Sequence, residues 1–175
     1  MRSLPQDSLV VKIISFAVED IDKSYPWGYF DGSSAGEPKI CGARGMIYIA
    51  NEHFFSFKAG LGIGSNNFVE ICALKLLLTL AKEKNIVKIQ LFGDSQLVIN
   101  WANGKFRLLN LELSQVLNEV NRLSDMFEHL DLKHIYRERN SHADVLAKVG
   151  VSVMDGCWFI KEYRASDYIE RYQLF

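Results

Sequence analysis

The sequence has little cysteine, little proline and no surplus of charge of either sign. Its three cysteines, Cys41, Cys72 and Cys157, are spread over 175 residues. They are odd in number and far apart, which excludes a disulfide-stapled framework and leads us to expect reduced thiols in an intracellular protein, cytoplasmic or nuclear. There is no CxxC pair and no Cys/His cluster at zinc spacing. Only three prolines are present, too few for a long proline-rich linker. Twenty basic residues against 21 acidic ones leave a net charge of −1. That balance excludes a basic nucleic-acid coat and an acidic disordered tail, so a nucleic-acid partner would have to be held by local features. Long hydrophobic runs are missing too. The most apolar stretch, Ile71 to Ala81, is broken by Lys75 and is too short to span a bilayer, so no membrane association is expected. Near the N-terminus, Pro5, Asp7 and Lys12 are misplaced for a signal peptide, and no small-residue cleavage site follows Val10 to Ala17. We find no internal repeat and no low-complexity segment.

What is there is apolar and aromatic, 49% and 12% of the chain, enough for one sizeable core. Three segments are expected: an N-terminal extension over 1–25, a regular domain over 26–150 and a C-terminal tail over 151–175 with a strand around Cys157 to Glu162. Trp27 to Phe30 reads as a short strand ending at the turn signal Asp31-Gly32-Ser33. Ala43 to Ala50 and His53 to Ala59 read as a hairpin. Gly60, Gly62 and Gly64 lead into Ser65-Asn66-Asn67, which suits a helix N-cap. These glycines lack the third member at dinucleotide-loop spacing and follow a hairpin strand, so that reading is set aside. Phe68 to Lys84 reads as a largely buried helix, with a narrow polar stripe at Lys75, Thr79 and Lys82/Glu83. Val87 to Phe92 reads as a central strand covered on both faces. A helix stopped by Gly104 follows, then a helix carrying Leu113 to Phe127, a strand over Leu130 to Glu138, and a last helix capped at Asn140-Ser141. The order βββαβααβα predicts a mixed α/β fold.

Four carboxylates stand where a simple core argument would not put them. Asp31 ends the first strand, Glu70 lies in the first turn of the most apolar helix, Asp94 follows the most apolar strand, and Asp144 opens the last helix. Taken singly, each suits a turn or a helix N-terminus. Taken together, strand ends and helix starts converge on one sheet edge, the usual place for a ligand. Clustered carboxylates there suit hard divalent cations such as Mg²⁺.

Four segments, in order, carry a resemblance over about residues 27–150. They are Tyr29-Phe30-Asp31-Gly32-Ser33, Ser65-Asn66-Asn67-Phe68-Val69-Glu70, Gly93-Asp94-Ser95-Gln96-Leu97-Val98, and Arg137 to Lys148 with its Asn140-Ser141-His142-Ala143-Asp144 core. The chain resembles type 1 ribonuclease H, most closely its plant-type and retrotransposon domains. The resemblance implies the ribonuclease H-like fold, a five-stranded mixed sheet flanked by helices. It implies an endonuclease that hydrolyses the RNA strand of RNA/DNA hybrids with two Mg²⁺ ions, Mn²⁺ serving in their place. The metal-binding and catalytic quartet falls on Asp31, Glu70, Asp94 and Asp144, with Asp94 bridging both ions. The residues expected at the hybrid are Gly32, Ser33, Asn66, Asn67 and Ser95. The protein is expected to be monomeric, and the resemblance leaves two origins open: a free-standing protein, or a domain that is part of, or derived from, a reverse-transcriptase polyprotein.

Three departures from the family stand out. The loop before the last acidic helix reads Arg137-Glu138-Arg139-Asn140 and lacks the histidine many members carry there; His134 precedes it and His142 follows it. Asn103-Gly104-Lys105-Phe106-Arg107 joins two helices directly, without the basic protrusion of some members. Glu37 stands where an asparagine is common. The alternative is a catalytically weak or inactive nucleic-acid-binding module that kept the fold. The Phe54, Phe55 and Phe57 group reads as strand packing, and Trp101 as core packing ahead of hybrid contact.

Overall fold

Residues 21–105, 107–136, 156–165 and 167–174 are described in a computed structural model of the protein. Three consecutive antiparallel strands form the middle of one sheet: β1 (Trp27–Ala35), β2 (Ile40–Ala50) and β3 (His53–Ile63). On the other side of β1, β4 (Lys88–Gly93) and then β5 (His129–His134) pair in parallel. This is the mixed five-stranded set expected. The sheet nevertheless has seven strands, in the order β5-β4-β1-β2-β3-β6-β7. The two added strands, β6 (Cys157–Arg164) and β7 (Asp167–Leu174), come from the segment expected as a tail. Their placement has a physical reason. The outer edge of β3 would otherwise leave a row of backbone groups without partners, and β6 pairs with it from His53↔Arg164 to Ala59↔Trp158, burying Trp158 completely.

Three helices are described: α1 (Asn66–Glu83), α2 (Gln96–Ala102) and α3 (Leu111–Ser124). Ser65 caps α1 by accepting from the Phe68 amide at 3.1 Å, and Asn110 caps α3 by accepting from the Leu113 amide at 3.0 Å. Beyond its first turn, Lys75, Thr79, Lys82 and Glu83 are the polar positions of α1 outside its buried set, as the apolar pattern predicts. Leu74, Leu77 and Leu78 of α1 share one core with Phe30, Ala43, Ile47, Phe57, Ile89 and Leu91. Burying each large side chain there is worth about 1.5–3 kcal/mol. On the opposite face of the sheet Trp27, Tyr29 and Phe92 form a smaller cluster with Ile21.

One expectation is corrected here. Asp31-Gly32-Ser33 is not a turn. β1 runs through it, pairing these residues with Arg44, Ala43 and Gly42 of β2. The glycine serves close packing: a Cβ on Gly32 would lie 2.8 Å from both Cγ atoms of Val69, so α1 could not approach β1 as it does. The chain turns later, at Gly36, where φ is +88°. Gly60 and Gly62 belong to β3, so they form no phosphate loop. The helix expected after Asn140, with Asp144, lies outside the described residues. No helix among the described residues is long and apolar enough to cross a membrane.

Candidate active site

β1 and β4 run parallel side by side, with Tyr29 opposite Phe92, so they deliver Asp31 and Asp94 to the same end of the sheet. Close approach there depends on glycine. A Cβ on Gly93, the residue before Asp94, would come within 2.4 Å of the Phe30 ring. α1 enters from its capped N-terminus and brings Glu70 to the same point. The structure thereby gathers three of the four predicted carboxylates: one oxygen from each of Asp31, Glu70 and Asp94 lies within 4.8 Å of the other two. Asp144, the fourth, lies outside the described residues.

These acids are withdrawn from water. Asp31 is fully buried and Glu70 is 8% exposed. The Gly32 amide donates to Asp31 Oδ1 at 2.9 Å and to Glu70 Oε1 at 3.2 Å, tying the two carboxylates to one backbone group. Burial pushes the Glu70 carboxyl well above the usual carboxylate range, the Asp31 charge and the hydrogen bond to Asp31 push the same way, and Asp94 adds to it. The Gly32 N–H opposes them by stabilising the anion. Without a cation, Glu70 therefore keeps its proton to a higher pH than an ordinary carboxyl does.

A hard cation fits this environment. Glu70 Oε2 is buried and has no hydrogen-bond partner, a costly state that an ion would relieve. The donor set is all carboxylate oxygen, with no thiol or imidazole, which suits Mg²⁺ or Mn²⁺ over zinc. A divalent charge would also displace the Glu70 proton and offset the mutual repulsion of the acids.

The residues expected at the hybrid lie around this cluster. Gly32 and Ser33 are half-buried on β1, next to Asp31. Asn67 is half-buried in the first turn of α1, three residues before Glu70 and so on the same helix face. Asn66 is exposed, and its Oδ1 accepts from Ser34 Oγ at 2.6 Å, which clamps α1 to β1 and leaves its amide donors for an outside acceptor. Ser95 caps α2, its Oγ accepting from the Val98 amide at 3.4 Å. Glu37 is exposed just after the turn at Gly36.

The sequence places His134 before the loop but does not show that it is a neighbour of the cluster. His134 pairs with Gly93 across β4 and β5, and its Nε2 donates to the Asp94 carbonyl at 3.2 Å. Nothing local announces this; only the register of two parallel strands shows it. Arg137 to Asn140 and His142 lie outside the described residues. Phe55 and Phe57 are buried, Phe54 stacks on Tyr163 with ring centroids 4.5 Å apart, and Trp101 packs half-buried against the main core.

A family model described as reverse transcriptase-like matches residues 29–150. Ribonuclease HI of Halobacterium salinarum is 31% identical over 121 residues, which cover 68% of this chain and 60% of that protein. The chain thus spans less than two thirds of the length of that relative. The crystal structure of RNase H1 from the same archaeon matches with a TM-score of 0.68 and 26% identity, over 73% of this chain and 98% of that one. LC11-RNase H1, crystallised in complex with an RNA/DNA hybrid, shares the fold with a TM-score of 0.60 and 22% identity, over 72% and 96% of the two chains.

Proposed function

The chain belongs to the reverse transcriptase-like family, with the type 1 ribonuclease H fold, and from this premise we propose that it is an endonuclease that hydrolyses the RNA strand of RNA/DNA hybrids. The observation that carries the reading is the meeting of buried Asp31 and Glu70 with half-buried Asp94, within 4.8 Å, at one end of the sheet. Four acids spread over 114 positions, from Asp31 to Asp144, match the quartet of this family, and three of them converge in space. A module retained only for binding would have no use for buried, mutually repelling carboxylates.

Asp31, Glu70 and Asp94 would hold divalent ions, with Asp144 as the fourth ligand assigned from the resemblance. When bound, two such ions supply an activated water and charge stabilisation for the leaving oxygen. The chain does the rest. The Gly32 amide fixes the Asp31 and Glu70 carboxylates relative to each other. His134 holds the Asp94 backbone through its carbonyl. Gly32, Ser33, Asn66, Asn67 and Ser95 line the approach, where 2′-hydroxyls and base edges of a hybrid's minor groove would tell RNA from DNA.

Substrate choice is tested by offering one labelled RNA strand in three forms: paired with DNA, paired with RNA, and single-stranded. Cleavage confined to the hybrid supports the reading. Equal cleavage of double-stranded RNA, or none of any substrate with Mg²⁺ present, overturns it.

A further inference from the structure

Asp94 sits where β4 ends and α2 begins, and the short helix after it has little hold of its own. Only Val98 and Ile99 are buried among the seven residues of α2. An isolated helix of that length is unstable in water, so the hold on its Asp94 end must come from outside the helix.

β5 and the residue after it supply that hold through three hydrogen bonds. The Ile135 amide donates to the Gly93 carbonyl at 2.9 Å. His134 Nε2 donates to the Asp94 carbonyl at 3.2 Å. At the far end of α2, its C-cap residue Asn103 donates from the side-chain amide to the Leu132 carbonyl at 3.1 Å. The first two bonds act on the two peptide groups that flank the Asp94 Cα. Each peptide group is planar, so a residue has only two soft backbone dihedrals, one toward each flanking plane. With both planes anchored to the same strand, φ and ψ of Asp94 are set, and with them the direction of its Cα–Cβ bond. The bond from Ile135 is a backbone bond that follows from the parallel register of β4 and β5, in which Gly93 pairs with His134. The bond to the Asp94 carbonyl is different, because it needs a side-chain donor at position 134. His134 is half-buried there, its ring edge-on to Tyr136 with centroids 5.6 Å apart at an interplanar angle of 78°. A carbonyl oxygen only accepts, so Nε2 carries the proton of this bond.

We propose that His134 is a positioning residue, and that its bond to the Asp94 carbonyl sets how well the cluster of Asp31, Glu70 and Asp94 discriminates Mg²⁺ from Ca²⁺. The inference rests on the reading of that cluster as a divalent-cation site. Mg²⁺ demands short bonds in near-ideal octahedral geometry, whereas Ca²⁺ accepts longer bonds and irregular geometry. A misdirected Asp94 therefore costs Mg²⁺ more affinity than it costs Ca²⁺. Groups that orient a metal ligand from behind typically contribute about 10–100-fold in metal affinity.

The test is the melting temperature of the whole chain, without nucleic acid, as Mg²⁺ or Ca²⁺ is raised. An ion that binds only the folded state stabilises it by an amount set by its concentration relative to Kd. His134→Phe keeps an aromatic ring beside Tyr136 and removes the donor, while His134→Gln keeps a neutral N–H donor. In His134→Phe the Mg²⁺ concentration needed for a given rise increases at least about tenfold, and the Ca²⁺ concentration changes much less. His134→Gln stays closer to wild type than the phenylalanine variant does. Asp94→Asn weakens the response to both ions, which assigns the rise to the cluster. A merely structural role for His134 lowers the melting temperature equally at every ion concentration and leaves the ion response in place. An unchanged Mg²⁺ response in His134→Phe, equal weakening for the two ions, or no rise with Mg²⁺ in the wild type overturns the inference. Because no hybrid is present, the result stands whether or not the chain cleaves RNA. Hybrid cleavage by a chain whose Mg²⁺ response ignores His134 overturns this inference alone.

Discussion

At the scale of single residues, Asp31, Glu70 and Asp94 are each costly to the metal-free fold, and their cost is what marks them. Asp94→Asn removes one acid from the cluster and replaces a carboxylate with an amide, a poorer ligand for a cation. Hybrid cleavage should fall by at least about a hundredfold, the scale of losing one aligned electrostatic group, while the melting temperature holds or rises because repulsion falls. Cleavage assays beside thermal melts check this; a variant that melts far below wild type, with activity tracking the folded fraction, would make Asp94 structural. Glu70 gives a pH-dependent prediction. In the unfolded chain it ionises near its ordinary value of 4.5, whereas in the folded, metal-free protein it does so well above that. Between the two values the folded state binds more protons, so stability is fully present below 4.5 and is lost as pH rises through the folded value. Glu70→Gln should flatten that loss and, in EDTA at pH 7, raise the melting temperature by about 2–4 °C, the response to 1 kcal/mol in a chain of this size. Melts of both forms from pH 4 to 8 decide it, and a lower melting temperature for the variant at pH 7 counts against the buried, proton-holding Glu70.

At the scale of elements, the site depends on α1 lying close against β1. Gly32→Ala puts a methyl 2.8 Å from the Val69 side chain, an overpacking that costs about 1–3 kcal/mol. It should lower both the melting temperature and the cleavage rate, because α1 carries Glu70 and β1 carries Asp31. Wild-type melting and activity in this variant would show that the approach tolerates a Cβ. The same glycine shows what a sequence conceals. Asp31-Gly32-Ser33 has the composition of a turn, yet the glycine answers to Val69, 37 positions on, which no local pattern displays. The carboxylates were legible because they interrupt strongly apolar segments: Glu70 beside Val69 and Ile71, and Asp94 after Ile89 to Phe92. The Ser65 cap was legible because N-cap chemistry is local. The His134 contact with Asp94 was not, since it depends on parallel register between β4 and β5. β6 was visible in part as a strand around Cys157, but its partner, the edge of β3, was not.

At the scale of the whole molecule, a seven-stranded sheet holds three acids at one end of β1 and β4. A net charge of −1 gives the chain no general attraction for nucleic acid, so the proposed hybrid binding would have to come from local features. Metal choice follows from the carboxylate cluster. Mg²⁺ and Mn²⁺ prefer compact octahedral oxygen sites, whereas Ca²⁺ takes longer bonds in looser geometry and would occupy the site without aligning water and phosphate. The most direct test of the account is therefore the cleavage rate of an RNA/DNA hybrid, labelled on its RNA strand, with Mg²⁺, with Ca²⁺ and with EDTA. The account predicts cut RNA and intact DNA with Mg²⁺, little cleavage with Ca²⁺ and none with EDTA. Robust cleavage of the RNA strand in EDTA would contradict it.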